Sequence, residues 1–246
     1  MTGQTLPPLR SSHQWHTAAG PLSYDTWGVH GRPVLLIPAV LFDRAMWWPI
    51  GADLRPQATV IAVDLPGHAA SSPRARYDPY ALVDDLAALI AHLDLRQAPV
   101  IVGHGTSAGL AALFATRYAT HAVVTVDPDS TVPADARHYL RHMRPDALPG
   151  RYRALLTPAT DTTLLHDYTA CIQAWPAAGT QPASPHARLA VHSRPPRGPD
   201  RRPGWRHMSY DVPARFAHLA DVDRFVHDVS SLLTSPGTAA RHEDRS

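Results

Sequence analysis

The stretch GHGTSAG, residues 103–109, places a serine and a histidine among small residues directly after an apolar run. A serine on a sharp turn from strand to helix is the nucleophile of many esterases, which carry the motif G-x-S-x-G. The literal match is GTSAG, which makes Ser107 the nucleophile. A second register puts the turn at Gly105, so that glycine stands where such an enzyme carries serine.

A serine nucleophile works with a histidine that accepts its proton and a carboxylate that orients the histidine. In the Ser107 register the available histidine is His218, in the segment PARFAHLAD. The available carboxylate is Asp127 or Asp200, and Asp129 lies two residues after the first of these. The residue types of a hydrolytic triad are therefore present, and their use depends on the register of the turn.

Apolar runs that alternate with helical patterns must position these residues. Runs rich in β-branched residues predict buried strands, and apolar residues at spacings of three and four predict amphipathic helices. This alternation indicates an α/β fold with a mostly parallel central sheet and helices on both faces. The predicted strands are 33–38, 59–67, 98–105, 121–128, 187–193 and 206–212, and the predicted helices are 77–95, 108–119, 134–144, 161–175 and 221–233.

The chain is long enough for one domain of this class, and we predict a single domain over residues 1–246. Its core covers about 20–130 and 187–233. The long proline-rich excursion between these parts, about 131–186, predicts an inserted helical lid. The polar tail 234–246 is expected to be disordered.

Composition excludes several functional classes. The net charge is +2 and the basic residues are scattered arginines, so a nucleic-acid partner is not expected. No apolar run reaches the length of a membrane-spanning helix, so we expect no association with a membrane. Residues 1–12 contain no apolar segment of the kind found in a secretory signal peptide, so we expect no secretion. The one cysteine, Cys171, fits a reducing cytoplasm. His138 and His142 are four residues apart, a spacing compatible with a metal site. A solvent-exposed face of a lid helix explains this pair of histidines better. We therefore predict neither a metal nor another cofactor.

Several stretches in order resemble the α/β-hydrolase superfamily over roughly residues 20–233. They are VLLIPA, VIAVDLPGHAASSP, YALVDDLAALIAHLDLRQAPVIVGHG and ARFAHLADVDRFVHDVSSLL. They are most similar to the small lidded esterase, lyase and haloperoxidase-like branch. The resemblance implies the α/β-hydrolase fold with its inserted lid, although this fold supports many chemistries.

The resemblance also implies that the catalytic positions are degenerate. The family ends its strand with Gly-His and places serine next, which is the position of Gly105. The family histidine, which precedes a P-H-L-E segment and lies ten residues before a phenylalanine, corresponds to Arg215. The His-Gly pair after the first core strand is replaced by Pro38-Ala39. Because arginine stays protonated, it is not a general base at neutral pH.

A backbone oxyanion hole does not depend on those side chains. The resemblance implies that its donors are the N–H of Thr106 and the N–H of Val40. His104, beside the turn, is a candidate acid or base, and the residues expected to line the substrate pocket are Gly105, Ala39, Leu41, Trp47 and Asp129. If Gly105 is the turn residue, its φ should be positive; in the other register, Ser107 takes the strained conformation.

These features favour a non-hydrolytic lyase, cyclase or isomerase acting on a small apolar, polyketide-like biosynthetic intermediate. One alternative is a serine esterase that uses Ser107, and the other is a ligand-binding protein without catalysis. Five arginines between 194 and 206 suggest a further hypothesis, that this loop docks an anionic group, such as the phosphopantetheine of a carrier-protein-bound acyl group or a carboxylated substrate.

Overall fold

The computed structural model of this chain describes residues 10–128, 135–173, 187–196, 201 and 203–234. These residues contain an eight-stranded sheet with the order β1-β2-β4-β3-β5-β6-β7-β8. The strands are β1 (Arg10–Thr17), β2 (Gly20–Trp27), β3 (Arg32–Ile37), β4 (Ala58–Val63), β5 (Val100–His104), β6 (Ala122–Val126), β7 (Ala187–His192) and β8 (Arg206–Ser209). The pairings from β4 through β3 to β8 are parallel, whereas β1 and β2 are antiparallel to their neighbours.

Helices pack against this sheet in pairs, α1 with α8 and α2 with α3. The helices are α1 (Trp48–Leu54), α2 (Pro79–His92), α3 (Ala108–Arg117), α4 (Ala136–Met143), α5 (Gly150–Arg153), α6 (Thr163–Gln173), α7 (Ala217–Ala220) and α8 (Val222–Thr234). Every residue of β5 and β6 is buried, because both faces of the central strands are covered. The predicted α/β fold with a mostly parallel sheet is confirmed.

The antiparallel hairpin of β1 and β2 was not predicted from the sequence. Its strands are joined by a two-residue turn at Ala18 and Ala19, and Gly20 follows with φ +117°. Most of β1 is exposed and its sequence RSSHQWHT has no apolar alternation. The periodicity that identifies a half-buried strand was therefore missing from this segment.

Helices α4, α5 and α6 lie between β6 and β7, where the lid was predicted. Asp135 begins α4, and its carboxylate accepts a hydrogen bond from the backbone N–H of His138 at 2.8 Å. The predicted lid boundaries and most of the predicted disordered tail fall outside the described residues. The division into core, lid and tail therefore stays a prediction.

Helix α1 packs against the sheet through a glycine that has no room for a side chain. A methyl group on Gly51 would lie 2.6 Å from Cδ2 of Trp27, whose ring is buried. We expect Gly51→Ala to lower the free energy of unfolding by about 1–3 kcal/mol in urea denaturation, although alanine is the better helix former.

Gly150 provides the matched control, because it lies in α5 and no atom lies within 4 Å of the position that a methyl group would occupy there. Gly150→Ala should leave the free energy of unfolding unchanged or raise it by up to about 1 kcal/mol. Equal losses for both variants would contradict the packing argument.

Candidate functional site

The turn after β5 has its strained backbone at Gly105. His104 ends the strand with φ −109° and ψ 140°, and Gly105 then has φ +57°. Ser107 has φ −69° and ψ −7°, which are helical values, and it directly precedes α3. The positive φ expected at Gly105 is confirmed, and the conformation that the Ser107 register requires is not found.

The strand and the helix on either side of this turn approach each other closely. A methyl group on Gly103 would lie 2.6 Å from the carbonyl oxygen of Ser107 and 2.9 Å from Cβ of Ala111. On the other side of α3, a methyl group on Gly109 would lie 2.4 Å from Cγ2 of Ile172 in α6. Helix α6 therefore covers the first turn of α3, where Ser107 is fully buried and Thr106 is only 5% exposed.

Arg215 occupies the position that the family resemblance gives to the catalytic histidine. Its backbone N–H donates to the carbonyl of Met143 in α4 at 2.9 Å, and its carbonyl accepts from Nε2 of His104 at 2.9 Å. Its guanidinium donates to the carbonyl of Asp127 at 3.1 Å. Arg215 thus links the turn, the end of β6 and helix α4, and its side chain is half-buried.

His104 and His218 lie in a buried aromatic cluster behind the turn. Their ring centroids are 5.0 Å apart, and the ring of Trp47 lies 4.2 Å from that of His218. Phe216 and Phe225 complete the cluster. Trp47 was predicted to line the substrate pocket, and the structure places it in this cluster with no exposed surface.

Burial keeps both histidines neutral. It lowers the pKa of His104 to about 3, against the opposing effect of the hydrogen bond to the carbonyl of Arg215. Since that carbonyl accepts, the proton of the neutral ring is on Nε2. Burial likewise lowers the pKa of His218 well below its ordinary value. Both imidazoles are therefore poor proton acceptors near neutral pH.

Several buried polar atoms of this region have no hydrogen-bond partner among the described residues. Water or a bound polar molecule satisfies such atoms in proteins, since each unpaired group costs about 1–3 kcal/mol. They are Nδ1 of His104, both ring nitrogens of His218, Nε1 of Trp47, Oγ1 of Thr106 and Oγ of Ser107.

Asp127, the first residue after β6, has a buried carboxyl group that contacts Ser193 and Ala217. Ser193 N donates to its Oδ1 at 2.6 Å, and Ala217 N donates to its Oδ2 at 3.1 Å. The hydroxyl oxygen of Ser193 lies 2.7 Å from Oδ2 and 2.6 Å from the carbonyl of Ala214. The structure does not join this carboxyl group to His218 or His218 to Ser107.

The Ser193 hydroxyl has one proton, which it donates towards Oδ2 of Asp127 and the carbonyl of Ala214. Burial raises the pKa of Asp127, against the lowering effect of its hydrogen bonds and of the charge of Arg215. The φ of +43° at Asp127 adds backbone strain at this position.

The loop after β3 contains the predicted oxyanion donor Val40 between Ala39 and Leu41, all fully buried. Leu41 has φ +70°, and its N–H donates to Nε2 of His68 at 3.0 Å. No hydrogen bond in the described part of the chain uses the N–H of Val40. The N–H of Val40 is therefore without a partner among the described residues, and the carbonyl of Leu41 accepts from the N–H of Ala159 at 2.8 Å.

The sequence did not indicate the roles of His68 and Arg44, which stabilise the loop after β3. His68 does so through a hydrogen bond, and Arg44 through ion pairs. His68 accepts from Leu41 through Nε2, so its proton is on Nδ1, which lies 3.2 Å from the carbonyl of Pro66. Arg44 forms ion pairs with the buried carboxylates of Asp25 and Asp64. Burial raises the pKa of Asp64 to about 6. The segment DLPGH was the available signal for His68, whereas only the fold brings Arg44 and Asp25 together.

A cleft of about 350 Å³ opens beside the same loop. A cavity of this volume is in the range of small-molecule sites. It is lined by Leu41, Phe42, Asp43, Gly67, His68, Ala69 and residues 157–161.

Two predicted site residues, Asp129 and Asp200, lie outside the described residues, as does part of the arginine-rich loop 194–206. His138 contacts the side chain of Asp135, at the start of α4. The described residues contain no group of three potential metal ligands among His, Cys, Asp and Glu. They also contain no helix that is long and apolar enough to cross a membrane.

Comparison with known proteins identifies the family of this fold. A family model described as "alpha/beta hydrolase fold" matches residues 32–178. E-2-(acetamidomethylene)succinate hydrolase superimposes with a TM-score of 0.73 at 17% identity, over 92% of this chain and 100% of the other. A thermophilic esterase from Thermogutta terrifontis gives a TM-score of 0.69 at 17% identity, over 91% and 98%.

A third similar structure is an AqdC variant described in ring cleavage of the Pseudomonas quinolone signal. Its TM-score is 0.67 at 16% identity, over 91% of this chain and 99% of the other. No curated protein sequence matches the chain significantly.

The raised pKa of Asp127 predicts how Asp127→Asn responds to pH. A raised folded pKa gives stability that is present below the unfolded pKa, near 3.9, and is lost as pH rises through the folded pKa. The amide of Asp127→Asn does not titrate, so the stability of this variant relative to wild type should improve as pH rises from 4 to 8. The measurement is urea denaturation of both proteins across this range.

Asp127→Ala is the control, because it removes the contacts to Ser193 and Ala217 and should be destabilising by about 3 kcal/mol at pH 4 to 8. A relative stability of Asp127→Asn that falls as pH rises would show that the folded pKa of Asp127 is lowered and would contradict the prediction.

The neutral state of His218 predicts a loss of stability in acid. A lowered folded pKa gives stability that is present above the unfolded pKa, near 6.5, and is lost as pH falls. His218→Phe keeps an aromatic ring against Trp47 and removes this titration. We expect its urea unfolding free energy to fall less steeply between pH 6.5 and pH 5, by up to about 1.4 kcal/mol per pH unit.

His227 in α8 is exposed, and His227→Gln serves as the matched control that keeps the wild-type pH slope. The prediction fails if His218→Phe has that slope too.

Proposed function

The chain belongs to the α/β-hydrolase fold family, and on this basis we propose that it is a non-hydrolytic enzyme acting on a small organic molecule. The reaction class is that of a lyase, cyclase or isomerase. The substrate is an apolar, polyketide-like biosynthetic intermediate.

The observation that carries this proposal is the glycine at the strained turn. Gly105 has φ +57°, and it stands where a serine hydrolase of this fold carries its nucleophile. A glycine has no hydroxyl group, so no acyl-enzyme forms at this position. Ser107 lies in the first helical turn with a buried hydroxyl that has no hydrogen-bond partner among the described residues.

The groups around the turn also favour chemistry without a general base. An arginine such as Arg215 stays protonated, His104 has a pKa of about 3, and the carboxyl group of Asp127 accepts hydrogen bonds from Ser193 and Ala217. With these partners, Asp127 does not orient an imidazole as the aspartate of a triad does. These groups instead suit a reaction in which negative charge develops on a substrate oxygen.

Backbone donors and one cation supply that stabilisation. The N–H groups of Thr106 and Val40 correspond to the oxyanion hole of the family, and the guanidinium of Arg215 lies at the same edge of the sheet. A preorganised donor of this kind contributes about 3–4 kcal/mol to transition-state stabilisation. An elimination, cyclisation or isomerisation in which the proton moves between two atoms of the substrate, while an oxyanion develops and is neutralised again, therefore needs neither a protein base nor a covalent intermediate.

The fold itself allows this interpretation. One of the similar structures, the AqdC variant, is described in ring cleavage of a quinolone, while others are described as esterases or hydrolases. Because fold does not determine chemistry, these relatives argue only that the family is not restricted to esters. The reducing cytoplasm and a carrier-bound acyl substrate, inferred from Cys171 and the 194–206 loop, belong to the same proposal.

A second candidate function is ligand binding without catalysis. It is favoured by the burial of the turn at Gly105. Because α6 packs on α3, Thr106 is only 5% exposed, which restricts access to its backbone N–H. Such a protein gains stability from its ligand without turning it over. Conversion of a ligand above the spontaneous rate would exclude this candidate.

A fluorophosphonate probe tests the proposal directly. We expect no covalent labelling of the wild-type protein, because no activated serine is present among the described residues. Gly105→Ser should also stay unlabelled, since Arg215 does not accept the serine proton. Gly105→Ser combined with Arg215→His restores both family residues, and labelling of this double variant would support the assigned positions.

Labelling of the wild-type protein that disappears in Ser107→Ala would overturn the proposal in favour of the esterase. For any substrate that is converted, product formed in ¹⁸O-labelled water should contain no ¹⁸O, because a non-hydrolytic reaction adds no water. Incorporation of one ¹⁸O atom would identify hydrolysis.

A further inference from the structure

The outer face of α4 carries a line of arginines. Arg137 and Arg141 are spaced at i and i+4, so they share one face of the helix, and Arg144 follows the helix with φ +53°. All three are exposed, and they border a groove of about 860 Å³. The groove is lined by Ala136, Arg137, Leu140, Arg141, Arg144, Pro145, Asp146, Ala147 and Thr162.

These arginines have no carboxylate partner in the part of the chain that the structure describes. None of the three forms an ion pair within the described residues, and neither does Asp146, the acidic residue of the lining. Three guanidinium groups against one carboxylate leave the groove with a net charge of +2. Its remaining surface is largely apolar, with the half-buried side chain of Leu140 between the arginines.

We propose that this groove binds a small molecule with a phosphate group and an apolar chain. The planar fork of a guanidinium donates two parallel hydrogen bonds to phosphate oxygens, and neighbours at i and i+4 lie about 6 Å apart. Arg137 and Arg141 thus hold one phosphate between them. The apolar chain lies against Leu140 and the alanines, where it loses contact with water.

The shape of this surface favours a small molecule over a membrane. The groove is concave, and its volume is in the range of small-ligand sites. A membrane-binding face presents large apolar side chains to the lipid. The exposed large hydrophobic residues of the described chain are Val29 and Tyr80, and neither belongs to α4.

The groove is separate from the turn at Gly105. The opposite face of α4 carries Tyr139 and Met143, both without exposed surface, and the carbonyl of Met143 accepts from Arg215. The proposed binding therefore does not depend on the reaction proposed above, and its test measures binding alone.

The test is isothermal titration of the whole chain with decyl phosphate below its micellar concentration. We expect saturable binding to the wild-type protein. Arg141→Gln should weaken it about tenfold, which corresponds to the loss of one charged hydrogen-bond pair. Arg137→Gln should act similarly, and raising the salt concentration should weaken wild-type binding.

Arg153→Gln is the matched control, since Arg153 is an exposed arginine of the neighbouring helix α5 that does not line the groove. It should leave the affinity unchanged, and inorganic phosphate alone should bind more weakly than decyl phosphate.

The site is excluded if decyl phosphate does not saturate, or if Arg153→Gln weakens binding as much as Arg141→Gln. Equal affinity for decyltrimethylammonium would show that the arginines do not recognise the head group. Binding to phosphatidic acid vesicles without binding of monomeric decyl phosphate would replace the small-molecule site by a membrane surface.

Discussion

The close approach of β5 and α3 determines the geometry of the whole candidate site. The chain turns from strand to helix within three residues, which requires a positive φ at position 105 and leaves no space for a side chain on Gly103. This turn places the first N–H groups of α3 at the carboxyl edge of the sheet. These N–H groups have no hydrogen-bond partner within the helix. A serine at position 105 would add a nucleophile to the same backbone. The glycine keeps the turn and its N–H donors without one.

Burial sets the charge state of the groups around this turn. Burial lowers the pKa of His104 and of His218 and raises that of Asp127, since each charged form loses solvation there. The guanidinium group of an arginine is strongly basic and stays charged in proteins. At position 215 it opposes a second cation such as an imidazolium and favours an anion. This electrostatic arrangement differs from that of a Ser-His-Asp hydrolase, whose mechanism forms an imidazolium beside a carboxylate.

Patterns that act locally in the sequence were sufficient for the central fold and for the turn. Buried apolar runs identified β3 to β7, and the family pattern together with the small residues around Gly105 identified the strained position. The hairpin of β1 and β2 was missed, since an exposed polar strand has no periodic signal. The contacts of Asp127 with Ser193 and Ala217 were also missed, because they join segments 66 and 90 residues apart and depend on where the strands end in space.

Helix α4 combines two roles that its sequence keeps on separate faces. Its inner face is anchored by Tyr139 and Met143, and its outer face carries Arg137 and Arg141 at the groove. The carbonyl of Met143 is bonded to the backbone of Arg215, whose own carbonyl is bonded to His104. A shift of α4 along its axis would break or lengthen the first of these bonds and change the position of the guanidinium relative to the turn. Since a ligand shifts an equilibrium only through different affinities for its states, an anion on the outer face would act on Arg215 only if α4 has two positions.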